Sequence, residues 1–580
     1  MDYKTAAVLL ASLIERAERD KVLGSVSSLE QQALCCAISS LTGRPDDSSD
    51  TTTSPPLHPK PAGAEVVKPP EATSSPAPDS PEIPVLPHID LVLDSIRKEK
   101  LDNPDVLMCL DFGTAMSKAF ATKFPGEYME LELGKAAGRS GYTLPSSVFI
   151  ADDGKAYFGF EAVDLSQELV GSGRERLDSI KGWLSLRREG DLDGESCVLQ
   201  KSLNPTAFKL TQGDLIRIYL AYLTDMAGIA LQDYEIHDKP VGRNIRRRYA
   251  RPCWPDPAQT QWAEKVMRTM LAEAQILADT FSGRWSGGID VAELKAAVEK
   301  VRVLKKRPDY LVAEGVPEPV AVAAGAIADT ENLRDAFMVV DVGAGTTDFG
   351  LFVSTRHTVK DGEQTKVFQL PKSIHGLMQA GDKVDGMLRA LIARKESVDA
   401  TDTSGRLIMA DLSRRIRGLK EALFKTGKIE YVLADGTLGS VNRDELLSDE
   451  AVKRFGKAIE DGFRKALESL DDTWLRWLAM EGVRLNVVLT GGSSSLPMMR
   501  ALSSGVIEVK GHRILRQPVD PKPEWMEDVS DELFGVYPQL AVAIGGAAEE
   551  LPETFNAPPV FAGGGGKTRY VAGRLQISGG

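Results

Sequence analysis

Three short segments that lie far apart in the chain each combine an apolar run with a turn of small and hydroxyl-bearing residues. They span residues 106–118, 337–350 and 487–497. An uninterrupted apolar run is typical of a buried strand, and a glycine-rich turn after it lets backbone N–H groups approach a phosphate. Each segment alone is a weak signal, because turns of this composition are common. All three together, in this order, predict a nucleotide site assembled from separate parts of the chain.

The first two turns offer two kinds of phosphate contact and a place for a metal ion. Glycines allow a close backbone approach, and threonine hydroxyls can donate to phosphate oxygens. Asp111 and Asp341 stand where the first two apolar runs end. A carboxylate there can hold a hydrated magnesium ion, because magnesium keeps several of its waters and takes few direct carboxylate ligands. The turn residues in these roles are Gly113, Gly343, Gly345, Thr114, Thr346 and Thr347.

The three segments resemble the phosphate-one, phosphate-two and adenosine motifs of the superfamily of actin, sugar kinases and DnaK-type heat-shock chaperones. The resemblance covers residues from about 105 to 550 and implies an α/β fold, the two-lobed actin-like ATPase fold with duplicated ribonuclease H-like domains. Further matches favour the chaperone branch. They lie at residues 142–148, 157–162, 179–184, 318–325, 380–385, 417–423 and 541–547.

The resemblance implies a role for each residue at a matching position. Lys181 would orient the attacking water, and Thr346 would contact the terminal phosphate. The implied catalytic positions are Lys181, Asp341, Glu318 and Thr346, and the implied magnesium positions, acting mainly through water, are Asp111, Asp341 and Asp348. The implied nucleotide contacts are Gly113, Thr114, Ala115, Gly343, Gly345, Thr346, Thr347, Lys420, Gly491, Gly492 and Ser493. The implied cofactors are ATP or ADP and Mg²⁺, and the implied activity is that of a magnesium-dependent ATPase.

The chain departs from the family pattern at several positions, some of them on the adenosine side. Ala344 stands where the family usually has a glycine in the second turn. Because alanine has a Cβ, we expect a negative φ at this position. Ala115 replaces a usual threonine and keeps only the backbone donor. Arg417 and Glu421 exchange the usual acid and base, and Ser495 stands where the chaperones often place an arginine that stacks on adenine. Phosphate binding is still expected, whereas turnover is expected to be slow or even degenerate.

The composition predicts segments beyond the nucleotide-binding body. Residues 1–43 have helical spacing of apolar residues and a capping box opened by Ser28, whereas the proline-rich stretch after them buries too little to repay the entropy of ordering. The predicted domains are a helical module at 1–43, a Pro/Ser-rich disordered linker at 44–88, ATPase lobe I at 105–335 with an enlarged insertion at about 185–315, ATPase lobe II at 336–550, and a flexible tail at 551–580.

Composition and charge exclude several classes of function. The hydrophobic fraction of 42% is that of a globular protein, and no apolar run reaches the roughly 18 residues that would suggest a membrane span. The five cysteines lack metal-ligand spacing, which favours a reducing cytoplasm over a disulfide framework. The basic cluster at 243–251 could contact nucleic acid, but a net charge of −13 favours a solvated face or an intramolecular partner for acidic helices.

The leading hypothesis is an ATP-hydrolysing conformational switch of the molecular chaperone type, acting on or with a protein partner. The partner would bind the N-terminal helices or the lobe I insertion, because no segment matches the usual peptide-binding domain. One alternative is an actin-like filament protein, which nucleotide-dependent sedimentation would reveal. Another is a small-molecule kinase, which would transfer phosphate to sugars or carboxylates. A nucleotide-binding scaffold that no longer hydrolyses is the remaining alternative.

Overall fold

The computed structural model describes residues 85–186, 192–327, 334–359, 362–523, 525–526 and 529–555. The predicted helical module, the linker up to residue 84 and the tail from residue 556 lie outside these ranges. The described part of the chain is a mixed α/β structure, as the sequence predicts. No helix in those ranges is both long enough and apolar enough to cross a membrane.

A first sheet is built from strands that precede residue 318. They are β1 (Val106–Asp111), β2 (Met116–Lys123), β3 (Glu127–Glu130), β4 (Leu144–Pro145), β7 (Arg246–Arg251) and β9 (Val312–Pro317). The order is β3-β2-β1-β7-β9, with β4 pairing β2. The strands β5 (Val148–Ile150), β6 (Lys155–Phe158) and β8 (Ile289–Asp290) form a small separate sheet.

A second sheet is built from strands that follow residue 333. They are β10 (Arg334–Val342), β11 (Thr347–Val359), β12 (Gly362–Gln369), β13 (His375–Leu377), β16 (Leu485–Thr490), β17 (Gly505–Val509), β18 (His512–Val519) and β19 (Glu553–Thr554). The order is β17-β18-β16-β10-β11-β12-β19, with β13 pairing β11. A separate hairpin consists of β14 (Lys428–Val432) and β15 (Leu438–Asn442).

The two sheets repeat one topology. In the first, β1 and β3 lie antiparallel to β2, and β1, β7 and β9 run parallel to one another. In the second, β10 and β12 lie antiparallel to β11, and β10, β16 and β18 run parallel. Even the short strands correspond, because β4 pairs with the start of β2 and β13 pairs with the start of β11. The described body is therefore a structural duplication.

Helices cover both faces of each sheet. They are α1 (Asp94–Lys98), α2 (Leu133–Ala136), α3 (Gly159–Gln167), α4 (Gly182–Leu186), α5 (Gln212–Leu231), α6 (Pro257–Phe281), α7 (Val291–Arg302), α8 (Glu318–Ala326), α9 (Gly381–Lys395), α10 (Thr403–Thr426), α11 (Arg443–Ser448), α12 (Glu450–Glu468), α13 (Asp472–Leu478), α14 (Pro497–Arg500) and α15 (Asp531–Gly546). Short 3-10 turns lie at Glu195–Cys197, Asp309–Leu311 and Ala501–Ser503.

Three apolar cores alternate with the two sheets. Successive side chains of a strand point to opposite faces. Accordingly, Met108 enters the first core, with α5, α6 and α7, whereas Cys109 enters a middle core. In β10, Met338 enters the second core, with α9, α10 and α12, and Phe337 enters the same middle core. The middle core therefore fills the space between the sheets.

The helices of the middle core join the two halves. α8 follows the last strand of the first sheet but packs on β10 and β11, and α15 follows β18 but packs on β1, β2 and β7. The two helices cross closely, because a Cβ built on Gly325 would lie 3.2 Å from the Cα of Gly545. Each half thus contributes one helix to the face of the other half's sheet.

The segment at 185–315, where the sequence predicts an enlarged insertion in lobe I, contributes to the first sheet and to its core. It contains β7 and β9, which complete the first sheet, and α5, whose residues are almost all buried. Thr211 caps α5 by accepting from the backbone N–H of Asp214, whose carboxylate accepts from Thr211 in return. Most of this segment is therefore core of the first half.

The basic cluster at 243–251 is used within the fold. Its described ion pairs join Arg243 to Asp225 and Asp279, Arg248 to Glu314, and Arg251 to Glu264. Arg247 is buried and donates to the side-chain oxygen of Gln275. The interpretation as an intramolecular partner for acidic side chains is confirmed for Arg243, Arg248 and Arg251.

The folded body extends beyond the predicted boundaries at both ends. Leu86 packs against the first core, and the hydroxyl of Tyr310 donates to the backbone oxygen of Ser95 over 2.9 Å. At the other end, β19 pairs with β12, and the backbone N–H of Phe555 donates to Gln369 over 2.8 Å. The predicted linker therefore ends before residue 86, and residues 553–555 do not belong to the predicted tail.

Candidate functional site

A cleft lies where β1 and β10 end, and it collects the three segments that the sequence analysis singled out. It encloses about 900 Å³ of space, part of which is open solvent. Among the predicted residues, those that line it are Asp111, Gly113, Thr114, Ala115, Lys181, Glu318, Asp341, Gly343, Thr346, Lys420, Gly491, Gly492 and Ser493. Gly345, Thr347 and Asp348 do not line it, although they adjoin residues that do.

The first turn connects two residues that face each other across a hairpin. β1 ends at Asp111, and the β1–β2 register places Lys118 directly opposite. Their side chains form an ion pair, with Lys118 Nζ 3.0 Å from Asp111 Oδ2. Both side chains are largely shielded from solvent, so the pair is weakly screened. Lys118 places a positive charge on the cleft wall, where a phosphate oxygen would be attracted.

In the second hairpin, the residue opposite the aspartate of the first strand is another aspartate instead of a lysine. β10 carries Asp341, and the β10–β11 register places Asp348 directly opposite. Asp348 accepts from the backbone N–H of Cys253 over 2.6 Å, and its other oxygen is buried without a hydrogen-bond partner among the described residues. Asp341 accepts from the hydroxyl of Thr490 over 2.9 Å. The position of Lys118 in one hairpin is therefore taken by a carboxylate in the other.

The hydroxyl of Thr347 is not available to a phosphate in this structure. Thr347 is buried and donates to the backbone oxygen of Gln379 over 2.7 Å. The structure therefore does not bring this predicted contact into the cleft. Ala344 does line the cleft, and it is not among the non-glycine residues with positive φ, as the sequence analysis required.

The third turn is fixed to the second by backbone contacts. Gly491 has a φ of 87°, and a Cβ on it would lie 2.3 Å from the backbone oxygen of Val342. Only glycine meets both conditions without strain. The backbone N–H of Ser493 also donates to the backbone oxygen of Val342, over 3.0 Å. The turn at 491–493 therefore lies beside the second phosphate turn.

The turns of the two halves approach each other closely. A Cβ built on Gly345 would lie only 2.8 Å from the hydroxyl oxygen of Thr114. Beside them, Lys420 forms an ion pair with Asp385 at 2.9 Å and donates to the backbone oxygen of Gly381. Burial raises the pKa of Asp385, and Lys420 opposes that shift. A ligand in the cleft would thus touch both halves at once.

Lys181 lies in the cleft within a buried ion pair. Its Nζ is 2.6 Å from Glu318 Oε1, and each side chain is under a tenth exposed. Burial lowers the pKa of Lys181, but the attraction of Glu318 and Asp111 outweighs it, so the pKa lies above its ordinary value. The amine is therefore a fixed cation, because its charge is held by neighbouring carboxylates.

The surroundings raise the pKa of both carboxyl groups of the second hairpin. Burial, followed by the negative charges of Glu318 and Asp111, raises the pKa of Asp341 to about 7. Burial and Glu318 raise the pKa of Asp348 well above its ordinary value. The carboxylates of Asp111, Glu318, Asp341 and Asp348 lie near one another, and a divalent cation would relieve the repulsion among them.

The residues present fit a magnesium ion that keeps its water shell. Among the described residues, no group of three or more histidine, cysteine, aspartate or glutamate side chains is arranged to hold a metal directly. Magnesium does not need such a cage, because it commonly binds through waters, one or two carboxylates and substrate phosphates. Asp111 and Asp341 face the cleft, and the unpartnered oxygen of Asp348 lies behind it.

Sequence reasoning missed some residues of the cleft wall. Lys118 belongs to the first segment but received no role, although it follows Asp111 at the same spacing at which Asp348 follows Asp341. The shared spacing of these two pairs could have identified Lys118 from the sequence. Gln539 and Val542 also line the cleft, from α15, and nothing in their types or spacing distinguishes them.

No protein-family model and no curated protein matched the chain in sequence comparisons.

The raised pKa of Asp341 predicts a pH dependence of stability in the metal-free protein. The folded state holds this proton more tightly than the unfolded state, whose aspartate pKa is near 4. The contribution to the free energy of unfolding is thus complete below about pH 4 and is lost as the pH rises through about 7. We expect urea unfolding with chelator to show a loss on the order of 4 kcal/mol from this group across this pH range.

In the variant Asp341→Asn the side chain at position 341 cannot titrate. The free energy of unfolding should therefore change less with pH across this range. Asp444→Asn, which changes an exposed aspartate of α11, is the matched control and should keep the wild-type profile. A profile for Asp341→Asn that runs parallel to the wild-type profile would contradict the assignment.

Proposed function

We propose that this protein is a magnesium-dependent ATP-binding and ATP-hydrolysing conformational switch of the DnaK type. In this proposal its described body is an actin-like fold, with the first sheet and its helices as lobe I and the second sheet and its helices as lobe II. The switch would act on or with a protein partner. The predicted N-terminal helices, one of the two segments that we expect to contact that partner, lie outside the described residues; the other is the lobe I insertion.

The observation that carries the proposal is the convergence of three distant motifs in one cleft. The turns after Asp111, Asp341 and Thr490 belong to different parts of the sequence, yet they line the same cavity. The duplicated strand order supports the actin-like assignment, because each of the first two turns occupies the same place in its own sheet. A shared binding site explains why such turns meet.

The cleft offers a triphosphate two kinds of contact. Small residues at Gly113 and Gly343 leave the backbone accessible, and Lys118 and Lys181 supply positive charge. Preorganised donors and cations of this kind account for most of the catalysis of phosphoryl transfer, which needs little covalent chemistry from the protein. Magnesium, when bound, would neutralise charge on the phosphate oxygens.

Lys181 and Glu318 are placed to handle the attacking water. The short ion pair fixes the amine, which can donate to a water oxygen beside the terminal phosphate. In the reaction the water oxygen bonds to the γ-phosphorus, the bond from that phosphorus to the bridging oxygen breaks, and ADP and inorganic phosphate leave. The proton released by the water passes to a carboxylate or to phosphate in the cleft.

The middle core is the element that would respond to the nucleotide. A ligand shifts a conformational equilibrium only by its different contacts with the two states. ATP contacts both lobes in our proposal, and loss of the terminal phosphate removes contacts that bridge them. The lobes meet at the crossing of α8 and α15, so we expect their relative rotation to change there.

Calorimetric titration of the full-length protein with ATP and with ADP tests the proposal. We expect saturable binding in the presence of Mg²⁺ and weaker binding with chelator. The variant Asp341→Asn should weaken magnesium-dependent binding by about tenfold or more, because carboxylates that hold a metal ion or orient its ligands contribute that much to metal sites. Asp444→Asn should bind like the wild type. Absence of adenine nucleotide binding to the wild-type protein with Mg²⁺ present would refute the proposal.

A further inference from the structure

Ser179 adopts an unusual backbone conformation two residues before Lys181. Its φ is 57°, in the left-handed region that residues other than glycine, asparagine and aspartate seldom occupy. The backbone N–H of Gly182 donates to the Ser179 oxygen over 2.9 Å, so a tight turn surrounds Lys181. Strained residues of this kind persist only where their surroundings hold them, and they cluster at functional sites.

The side chain of Ser179 reaches across the cleft. Its hydroxyl donates to Asp382 Oδ2 over 2.7 Å, and Asp382 belongs to the first turn of α9 in the other half of the body. The other oxygen of Asp382 lies 3.8 Å from Arg417, which is also in that half. The hydrogen bond therefore joins the lysine-bearing turn of one half to a side chain that is fixed in the other.

The same helix start holds the second phosphate turn. The backbone N–H of Asp382 donates to Ala344 over 2.8 Å, and that of Gly381 donates to Gly343 over 3.2 Å. A short series of hydrogen bonds thus leads from the turn around Lys181, through Ser179 and Asp382, to the turn that faces the phosphates. These contacts can all be satisfied only when the two halves are close together.

Other hydrogen bonds between the two halves involve residues farther from Lys181 in the sequence. The guanidinium of Arg414 donates to the backbone oxygen of Leu169 over 2.8 Å, and Arg176 donates to the backbone oxygen of Arg414 over 3.0 Å. These hydrogen bonds join the two halves, but the residues of the first half that make them lie several positions from Lys181 in the sequence. Ser179 is separated from Lys181 by one residue and lies in the same turn.

We propose that Ser179 is a positioning residue that makes Lys181 competent for hydrolysis only when the cleft is closed around the nucleotide. The inference rests on the proposed ATPase function. Closure brings Asp382 to the Ser179 hydroxyl, and this bond holds the turn in its left-handed conformation with the Lys181 amine directed at Glu318. On opening, the acceptor is withdrawn, the turn relaxes, and the amine leaves its position.

The test compares the single-turnover rate of ATP hydrolysis with the dissociation constant for nucleotide in the full-length protein. Ser179→Ala removes the hydroxyl and should lower the rate by about tenfold or more, because small misplacements of a catalytic group have effects up to about 100-fold. The dissociation constant should stay within about threefold. Ser179→Asn should restore the rate, since asparagine tolerates positive φ and its amide can donate to Asp382.

Ser397 supplies the matched control. It has a φ of 54°, is exposed and lies after α9, away from the cleft. Ser397→Ala should therefore have the wild-type rate and affinity, which isolates the lost hydroxyl from the effect of alanine at positive φ. The variants Ser179→Ala and Asp382→Ala should also be non-additive, so that the double variant is no slower than the slower single variant.

Three results separate this inference from the proposed function. A Ser179→Ala rate equal to that of the wild type would overturn the positioning role while leaving the ATPase proposal intact. Equal losses of rate and affinity, unrescued by Ser179→Asn, would also overturn it, because they indicate a purely structural contact. A wild-type protein that binds no ATP would overturn the proposed function, and the positioning role with it.

Discussion

Replacing Lys181 with alanine should slow the hydrolysis of bound ATP by about 100-fold to 1,000-fold, the usual effect of removing one preorganised donor. The amine is fixed by Glu318 at 2.6 Å in a buried site, so water cannot easily substitute for it. Single-turnover measurement of phosphate release reports this step directly. An unchanged rate would show that Lys181 has no part in the chemistry.

The stability of the variant has to be separated from its activity. Removing one partner of a buried ion pair typically costs about 3–5 kcal/mol, because the other charge stays buried alone. The double variant Lys181→Ala/Glu318→Gln removes the orphaned charge and should regain much of that stability without regaining hydrolysis. Lys457→Ala, at an exposed ion pair on α12, is the control for loss of a lysine and should change neither quantity measurably.

Replacing Gly545 with alanine should destabilise the protein by about 3 kcal/mol or more. A Cβ at this position would lie 1.8 Å from the backbone oxygen of Ala321 and 2.9 Å from the backbone nitrogen of Gly325. These are main-chain atoms of α8, which cannot rotate out of the way. The crossing of α8 and α15 would have to open, and the middle core would lose its packing. Urea unfolding measures the effect.

Gly535 provides the control within the same helix. A Cβ there would meet nothing within 4 Å. Gly535→Ala should therefore keep the wild-type stability or gain up to about 1 kcal/mol, since alanine favours a helix over glycine. Equal stabilities for Gly545→Ala and Gly535→Ala would mean that the close crossing is not present in solution.

The strands that carry the three motifs were predictable because each is buried on both faces. Such strands read as continuous apolar runs, and a glycine-rich turn marks where each one ends. β1, β10 and β16 accordingly lie at the predicted places. The meeting of their turns in one cleft also followed from the motifs, once a single bound phosphate chain was assumed. The local sequence pattern and the assumption of one shared ligand were sufficient to predict these strands and the meeting of their turns.

The extent of the first sheet was not predictable from the same signals. β7 reads as a run of arginines, and the usual pattern for a buried strand fails there because Arg247 is itself buried, at 1% exposed. Burial lowers the pKa of Arg247 to about 10, while Asp279 opposes that shift. Tertiary partners from α6 make this strand possible, and sequence spacing does not reveal them. Its residues therefore looked like part of an insertion.

The role of Lys118 was hidden for a related reason. A residue directly opposite another in a hairpin can be identified only when the length of the turn is known. The structure supplies the register, in which Asp111 faces Lys118 and Asp341 faces Asp348. The sequence contained both pairs at the same spacing, but their different charges concealed the correspondence.

That difference in charge gives the cleft a direction. Two copies of one architecture, set face to face, would offer an elongated anion two equivalent ways to lie, each as favourable as the other. Lys118 lines the cleft, whereas its counterpart Asp348 lies behind the wall and offers no cation, so the orientations are unequal: only one brings a phosphate tail to this ammonium group. The duplicated fold thus acquires a polarity that its backbone alone would lack.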